Sequence, residues 1–155
     1  MIISQQSGAL KKFRRTPWRF QRTFQTPLRS LAPFTGAILS MIGPVNSGTV
    51  LIDSVIFQPK NLEALLTQHH LQPSLLHDMT IVAETAAEVQ PLLIAALGGW
   101  IDFVFIPSPK PFVLYADHDE YTTFFANSKG SLNKVSTAFA AQGFTAVEDY
   151  TRVLR

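Results

Sequence analysis

Cysteine is absent from this sequence of 155 residues. That excludes a disulfide framework, thiolate catalysis and any zinc or iron–sulfur centre held by cysteine, and it suits the reducing cytoplasm, the compartment expected here. Long apolar runs are also lacking. The best candidate, residues 31–57, is interrupted by Pro44, Asn46, Ser47, Gly48 and Asp53, whereas a spanning helix needs roughly 20 continuous apolar residues. A secretory leader is not expected either, because the basic N-terminal stretch is followed by Pro and Gln rather than by an apolar block.

The third shortage is acid, and it is local. Residues 1–52 hold seven basic residues (Lys11, Lys12, Arg14, Arg15, Arg19, Arg22 and Arg29) and no carboxylate. Asp53 is the first acid, and residues 53–155 carry all eleven acids against six basic residues. The two segments therefore bear +7 and −5, a contrast hidden by the overall +2. Such asymmetry points to a basic tail that meets something acidic, or to a targeting segment. The expected organisation is a basic N-terminal arm over residues 1–33 ahead of a single domain over 34–155. The alternative to a cytoplasmic location is organellar import, with residues 1–33 as the targeting segment.

What is present is enough apolar material for a core: 46% hydrophobic residues, including 12 Phe, can offset the chain entropy of one domain of this length. The expected fold class is α+β, an antiparallel sheet of about four to five strands with helices mainly on one face. Residues 37–42 and 49–57 read as apolar, strand-like segments around a turn at 43–48. Asn61 reads as the cap of a helix to about His70, and Pro73 with Ser74 as the start of a second short helical stretch. A short strand is expected around Ile81 and Val82. Thr85 and Glu88 have capping-box spacing, but Pro91 suits a first turn, which moves the expected helix start to about Gln90. Residues 100–106, 111–116 and 121–126, rich in aromatic and β-branched residues and separated by short loops, predict a three-stranded meander. Alternation puts Ile101, Phe103 and Phe105 on one face, with Trp100, Asp102 and Val104 on the other. Ser131 reads as the cap of a last helix with Leu132, Val135 and Phe139 on its buried stripe, closed by Gly143 and Phe144 in a Schellman ending.

Four patterns invite a chemical reading. Gly43 and Gly48 have phosphate-loop spacing, but Thr49 stands where the motif needs Lys, so a plain turn and no nucleotide are expected. His69, His70 and His77 lack the spacing and the intervening Glu of a zincin helix, and there is no Gly-x-Ser-x-Gly elbow. No cofactor, no metal and no catalytic residue is therefore assigned. Asp117, His118, Asp119 and Glu120 gather three carboxylates and an imidazole in one hairpin loop. One or two polar residues suffice for a turn, so the surplus acid points to a partner-binding surface for a basic protein. Arg14, Arg15, Trp18, Arg19, Phe20 and Arg22 interleave charge with aromatic rings, as a surface that neutralises phosphates and stacks bases would.

The function expected from these features is a small non-enzymatic protein-binding module with an acidic surface, of an inhibitor or immunity type directed at a basic partner. One alternative is nucleic-acid binding through the basic aromatic arm. Another is a small metal-dependent enzyme using the loop from Asp117 to Glu120.

Overall fold

Residues 50–52, 103–106 and 112–116 are runs of consecutive apolar residues, so both faces of a sheet built from them must be covered. A computed structural model, which describes residues 1–5, 8–72 and 75–155, shows how this is done. The elements run β1 (Ile2–Gln5), α1 (Ala9–Arg15), β2 (Phe20–Gln25), α2 (Leu31–Ile42), β3 (Ser47–Val55), α3 (Lys60–Gln68), β4 (Met79–Ala83), α4 (Ala86–Leu97), β5 (Ile101–Ser108), β6 (Val113–Ala116), β7 (Tyr121–Ala126) and α5 (Lys129–Ala141). The fold is α+β. Among the described residues seven strands form one antiparallel open sheet in the order β1-β4-β3-β5-β6-β7-β2.

The expected four to five strands undercount the sheet, because both edge strands lie in the N-terminal segment. The described part of residues 1–33 supplies β1 on one edge, β2 on the other and α1 between them in sequence, and Leu10, Phe13 and Phe24 are buried. The physical reason is that an edge strand needs only one apolar side and one paired flank, so the polar sequences of β1 and β2 suffice. Among the described residues, no helix is long and apolar enough to cross a membrane.

One face of the sheet carries the main core. Val50, Ile52, Ile101, Phe103, Phe105, Leu114 and Phe124 pack there against α2, α3, α4 and α5. Phe24, Phe34, Phe124 and Phe139 make edge-to-face or tilted ring contacts with centroids 4.7–5.9 Å apart. The meander and the last helix thus share a core, as expected. The Schellman ending is also present: Phe144 N–H donates to Phe139 O (3.0 Å), Gly143 N–H to Ala140 O (3.1 Å), and Gly143 has φ 76°. The opposite face holds a smaller cluster, in which Leu51, Val104, Val113, Tyr115 and Phe125 meet Leu10 and Phe13 of α1.

Four local expectations change. Helix α3 starts at Lys60 with Pro59 in the cap position, so Asn61 lies inside its first turn rather than capping it. Residues 37–42 are the second half of α2 rather than a strand. Phe34, Ala37, Ile38 and Ile42 are buried on one face, but Ala32, Pro33 and Leu39 put apolar residues beyond that face, which blurs the period that would have marked the helix. The turn at 43–48 accordingly joins a helix to a strand, and a Cβ on Gly48 would come 2.7 Å from the Phe105 ring, so that glycine serves a close approach to the core. Helix α4 begins at Ala86, not near Gln90. The Glu88 carboxylate accepts from the N–H groups of Glu84 (2.8 Å) and Thr85 (3.3 Å), which anchors the first turn despite Pro91. Helix α5 starts three residues early, capped by Ser128, whose Oγ accepts from Ser131 N–H at 3.4 Å. Pro73 and Ser74 lie outside the described residues.

Candidate functional site

Strand register gathers five chain segments at one end of the sheet. Val55 at the end of β3 faces Ile101, Ala116 at the end of β6 faces Phe103, and Gln25 at the end of β2 faces Tyr121. The β6–β7 hairpin of residues 117–120 caps this end. Beside it, Ile56, Phe57 and Trp100 are 46%, 61% and 42% exposed. The Trp100 and Phe57 rings meet edge to face with centroids 6.4 Å apart. Trp100, Leu28, Asp117, His118 and Glu120 line one small cleft, so the aromatic pair and the hairpin adjoin.

The backbone at Trp100 has φ 54°, the left-handed region that a bulky residue rarely adopts. Two glycines precede it, yet neither takes the positive φ. Their role is clearance: a Cβ on Gly99 would lie 3.1 Å from Ala95 O and from Pro59, and one on Gly98 3.3 Å from Ile94 O and from Leu31. The chain thus accepts left-handed strain at a tryptophan and turns its ring partly to solvent.

Within the hairpin the four residues have different roles. One Asp117 oxygen accepts the N–H groups of Asp119 and Tyr121, each at 3.0 Å, and the other holds the guanidinium of Arg152 from the C-terminal segment. That pair is close to nine-tenths buried on both sides. His118 turns inward: its Nδ1 lies 2.7 Å from Asp102, which also accepts the His118 N–H at 2.8 Å. The bond to Asp102 raises the imidazole pKa above its ordinary value, and the charges of Asp102, Asp119 and Asp117 act the same way against partial burial. Asp119 is exposed and Glu120 half-buried with φ 67°. The structure therefore brings the four residues together in one turn while directing Asp117 and His118 to internal partners.

Asp117 belongs to a polar chain across the second face that sequence reading missed. The Arg152 guanidinium lies over the Tyr115 ring at 4.7 Å, and its Nε donates to Thr123 at 3.0 Å. Gln21 accepts the Arg152 N–H (2.7 Å) and donates to its carbonyl (3.2 Å), so the segment is held by main chain and side chain together. The Tyr115 hydroxyl donates to Asp53 at 2.8 Å, and Arg14 donates to the other Asp53 oxygen at 2.5 Å. Burial, then the bond to Asp53, raises the Tyr115 pKa, so the phenol keeps its proton and remains a donor.

The basic aromatic residues of the N-terminal segment are dispersed in their roles. Arg14 is bound to Asp53 and Arg22 to Glu148. Trp18 packs on Phe13 and Phe125 and donates its indole N–H to Phe13 O at 3.1 Å. Arg15, Arg19 and Phe20 are exposed. His69 sits 3.7 Å from Glu88, and His77 lies 3.0 Å from Asp78. Among the described residues no group of three or more His, Asp or Glu is placed to hold a metal ion.

Comparison with protein-family models, with curated proteins and with solved structures finds no match to this chain.

Proposed function

We propose that the protein is a non-enzymatic protein-binding module. It meets a basic partner at the sheet end where Ile56, Phe57 and Trp100 adjoin the hairpin of Asp117, His118, Asp119 and Glu120. The observation that carries the reading is Trp100, a partly exposed aromatic held in a strained conformation beside a second exposed ring. Interfaces concentrate their energy in a few aromatic anchors surrounded by a polar rim. Here the rim is acidic, through the exposed Asp119 and the half-buried Glu120. Asp117 supports the rim from beneath, since its carboxylate orders the turn that presents its neighbours. Charge of this sign speeds capture of a basic surface and suppresses acidic ones, while the rings supply the lasting contact.

The test is affinity capture after nuclease treatment. A partner held by the wild-type chain should be lost on Trp100→Ala or Phe57→Ala. It should be captured more slowly by Asp119→Asn/Glu120→Gln, most clearly at low salt, and kept on Arg15→Ala/Arg19→Ala. Capture that resists both aromatic changes would reject this surface. Capture abolished by nuclease and by loss of Arg15 and Arg19 would favour nucleic-acid binding instead.

A further inference from the structure

The other end of the sheet has the opposite character. A groove of about 720 Å³ opens there between α1, the β5–β6 loop and the end of β7. Its size falls in the range of small-molecule sites, roughly 300–1,000 Å³. Phe13, Trp18, Ile106 and Val113 form apolar walls, and Lys12 and Lys110 bring the charge. Among the described residues no carboxylate lines it. A second, adjoining hollow shares Lys12 and adds Lys11 and Arg15. Two other cations of this face are paired, Arg14 with Asp53 and Arg152 with Asp117. Among the described residues Lys11, Lys12, Arg15 and Lys110 form no ion pair, so the positive field around the groove is uncompensated.

The aromatic wall is fixed before any ligand arrives. Trp18 is tilted against Phe13 and Phe125 with centroids 5.8 and 6.0 Å away, and its indole N–H is already bonded to Phe13 O. The indole therefore offers a ring surface and no free donor, which suits an apolar, flat body rather than a polar one. Preorganised walls also lower the ordering cost of binding.

We infer that this groove binds a small aromatic monocarboxylate, its ring against Trp18 and the apolar wall and its carboxylate toward Lys12 and Lys110. This site is independent of the partner surface at the opposite end of the sheet. A single negative charge on an apolar body matches both features of the lining. A neutral aromatic would leave the unpaired lysines unused, and an anion without a ring, such as inorganic phosphate, would leave the apolar wall unused.

Calorimetric titration of the full chain tests this with naphthalene-2-carboxylate, naphthalene-2-carboxamide as its neutral counterpart, and a single-stranded oligonucleotide. The carboxylate should bind with single-site saturation and more tightly than the carboxamide. Lys12→Glu/Lys110→Glu should weaken the carboxylate roughly tenfold or more, the scale set by two lost and reversed surface charges, and leave the carboxamide within about twofold. Thermal unfolding checks that the double variant is folded. Lys110→Ala alone, a loop change, serves if it is not, with a smaller loss in the same direction. No binding of the carboxylate, equal binding of acid and amide, or indifference to the lysine changes would overturn the inference. So would an oligonucleotide that binds through the same lysines while the carboxylate does not.

Discussion

The two faces of the sheet are built from the same strands and filled by different physics. On the helical face, Phe103, Phe105, Leu114 and Phe124 project from neighbouring strands into a continuous apolar layer under four helices. On the other, the residues next to them in sequence include Asp102, Tyr115 and Thr123, which with Asp117 of the hairpin meet partners as distant in sequence as Asp53 and Arg152. Apolar packing is non-directional and tolerates any neighbour of the right volume. A part-buried polar chain is directional, since each group requires a particular partner to offset its desolvation. The helical face is thus expected to carry most of the stability. The second face sets where the C-terminal segment lies and how the hairpin at 117–120 is presented.

Phe139 is the sharpest probe of the first half of that comparison. It is fully buried and touches the rings of Phe24, Phe34, Phe124 and Phe144. Phe139→Ala should cost about 3–5 kcal/mol in denaturant unfolding, through lost transfer energy and the cavity left behind. A cost below about 1 kcal/mol would mean that α5 is not part of the main core.

Asp117 and Arg152 probe the second half. Removing either should cost about 1.5–3 kcal/mol, the range for a hydrogen bond to a charged group in a part-buried setting. In a double-mutant cycle with Asp117→Ala and Arg152→Ala the two losses should be clearly less than additive, because the partners share one bond. A cost equal to that of Phe139→Ala would make the second face an equal core. Strict additivity would show that the pair does not hold the C-terminal segment.

What could be read from sequence follows the same division. The meander and the end of α5 were legible because alternation and capping are local patterns, carried within each element by Ile101, Phe103 and Phe105 or by Phe139, Gly143 and Phe144. The edge strands were not, since Gln5, Gln21, Arg22 and Gln25 read as arm, and only pairing with β4 and β7 makes them strands. Helix α2 reads as a strand because Ala32, Pro33 and Leu39 put apolar residues beyond its buried face and blur its period. In the candidate site, the acidic density of residues 117–120 was visible, but Asp117's partner lies 35 residues away and Tyr115's lies 62 away, separations that no local pattern encodes. Trp100 did carry a signal that went unused: it follows Gly98 and Gly99 after a helix, a place where a left-handed residue is common.

His118 offers the finest test, because it joins the polar face to the partner surface and its effect should be the smallest. Its pKa is raised above 6.5, chiefly by the bond to Asp102. A group raised in the folded state binds its proton more tightly there than in the unfolded chain. Its contribution to stability is therefore fully present below pH 6.5 and is lost as pH rises through the higher, folded value. The side chain is about a third exposed, so solvent screening keeps the effect modest. Stability measured from about pH 5 to about pH 9 should show a small decline across that window in the wild type. His118→Gln should flatten it, and Asp102→Asn should return the imidazole titration, followed by NMR, toward 6.5. The same proton bears on binding: protonated His118 adds a positive charge beside Asp119 and Glu120 and lowers the net acidity of the rim. Association with a basic partner should thus quicken as pH rises past the folded pKa, while stability falls. If both rose together, or if Asp102→Asn left the titration unmoved, the Asp102–His118 bond would not be the link between the two.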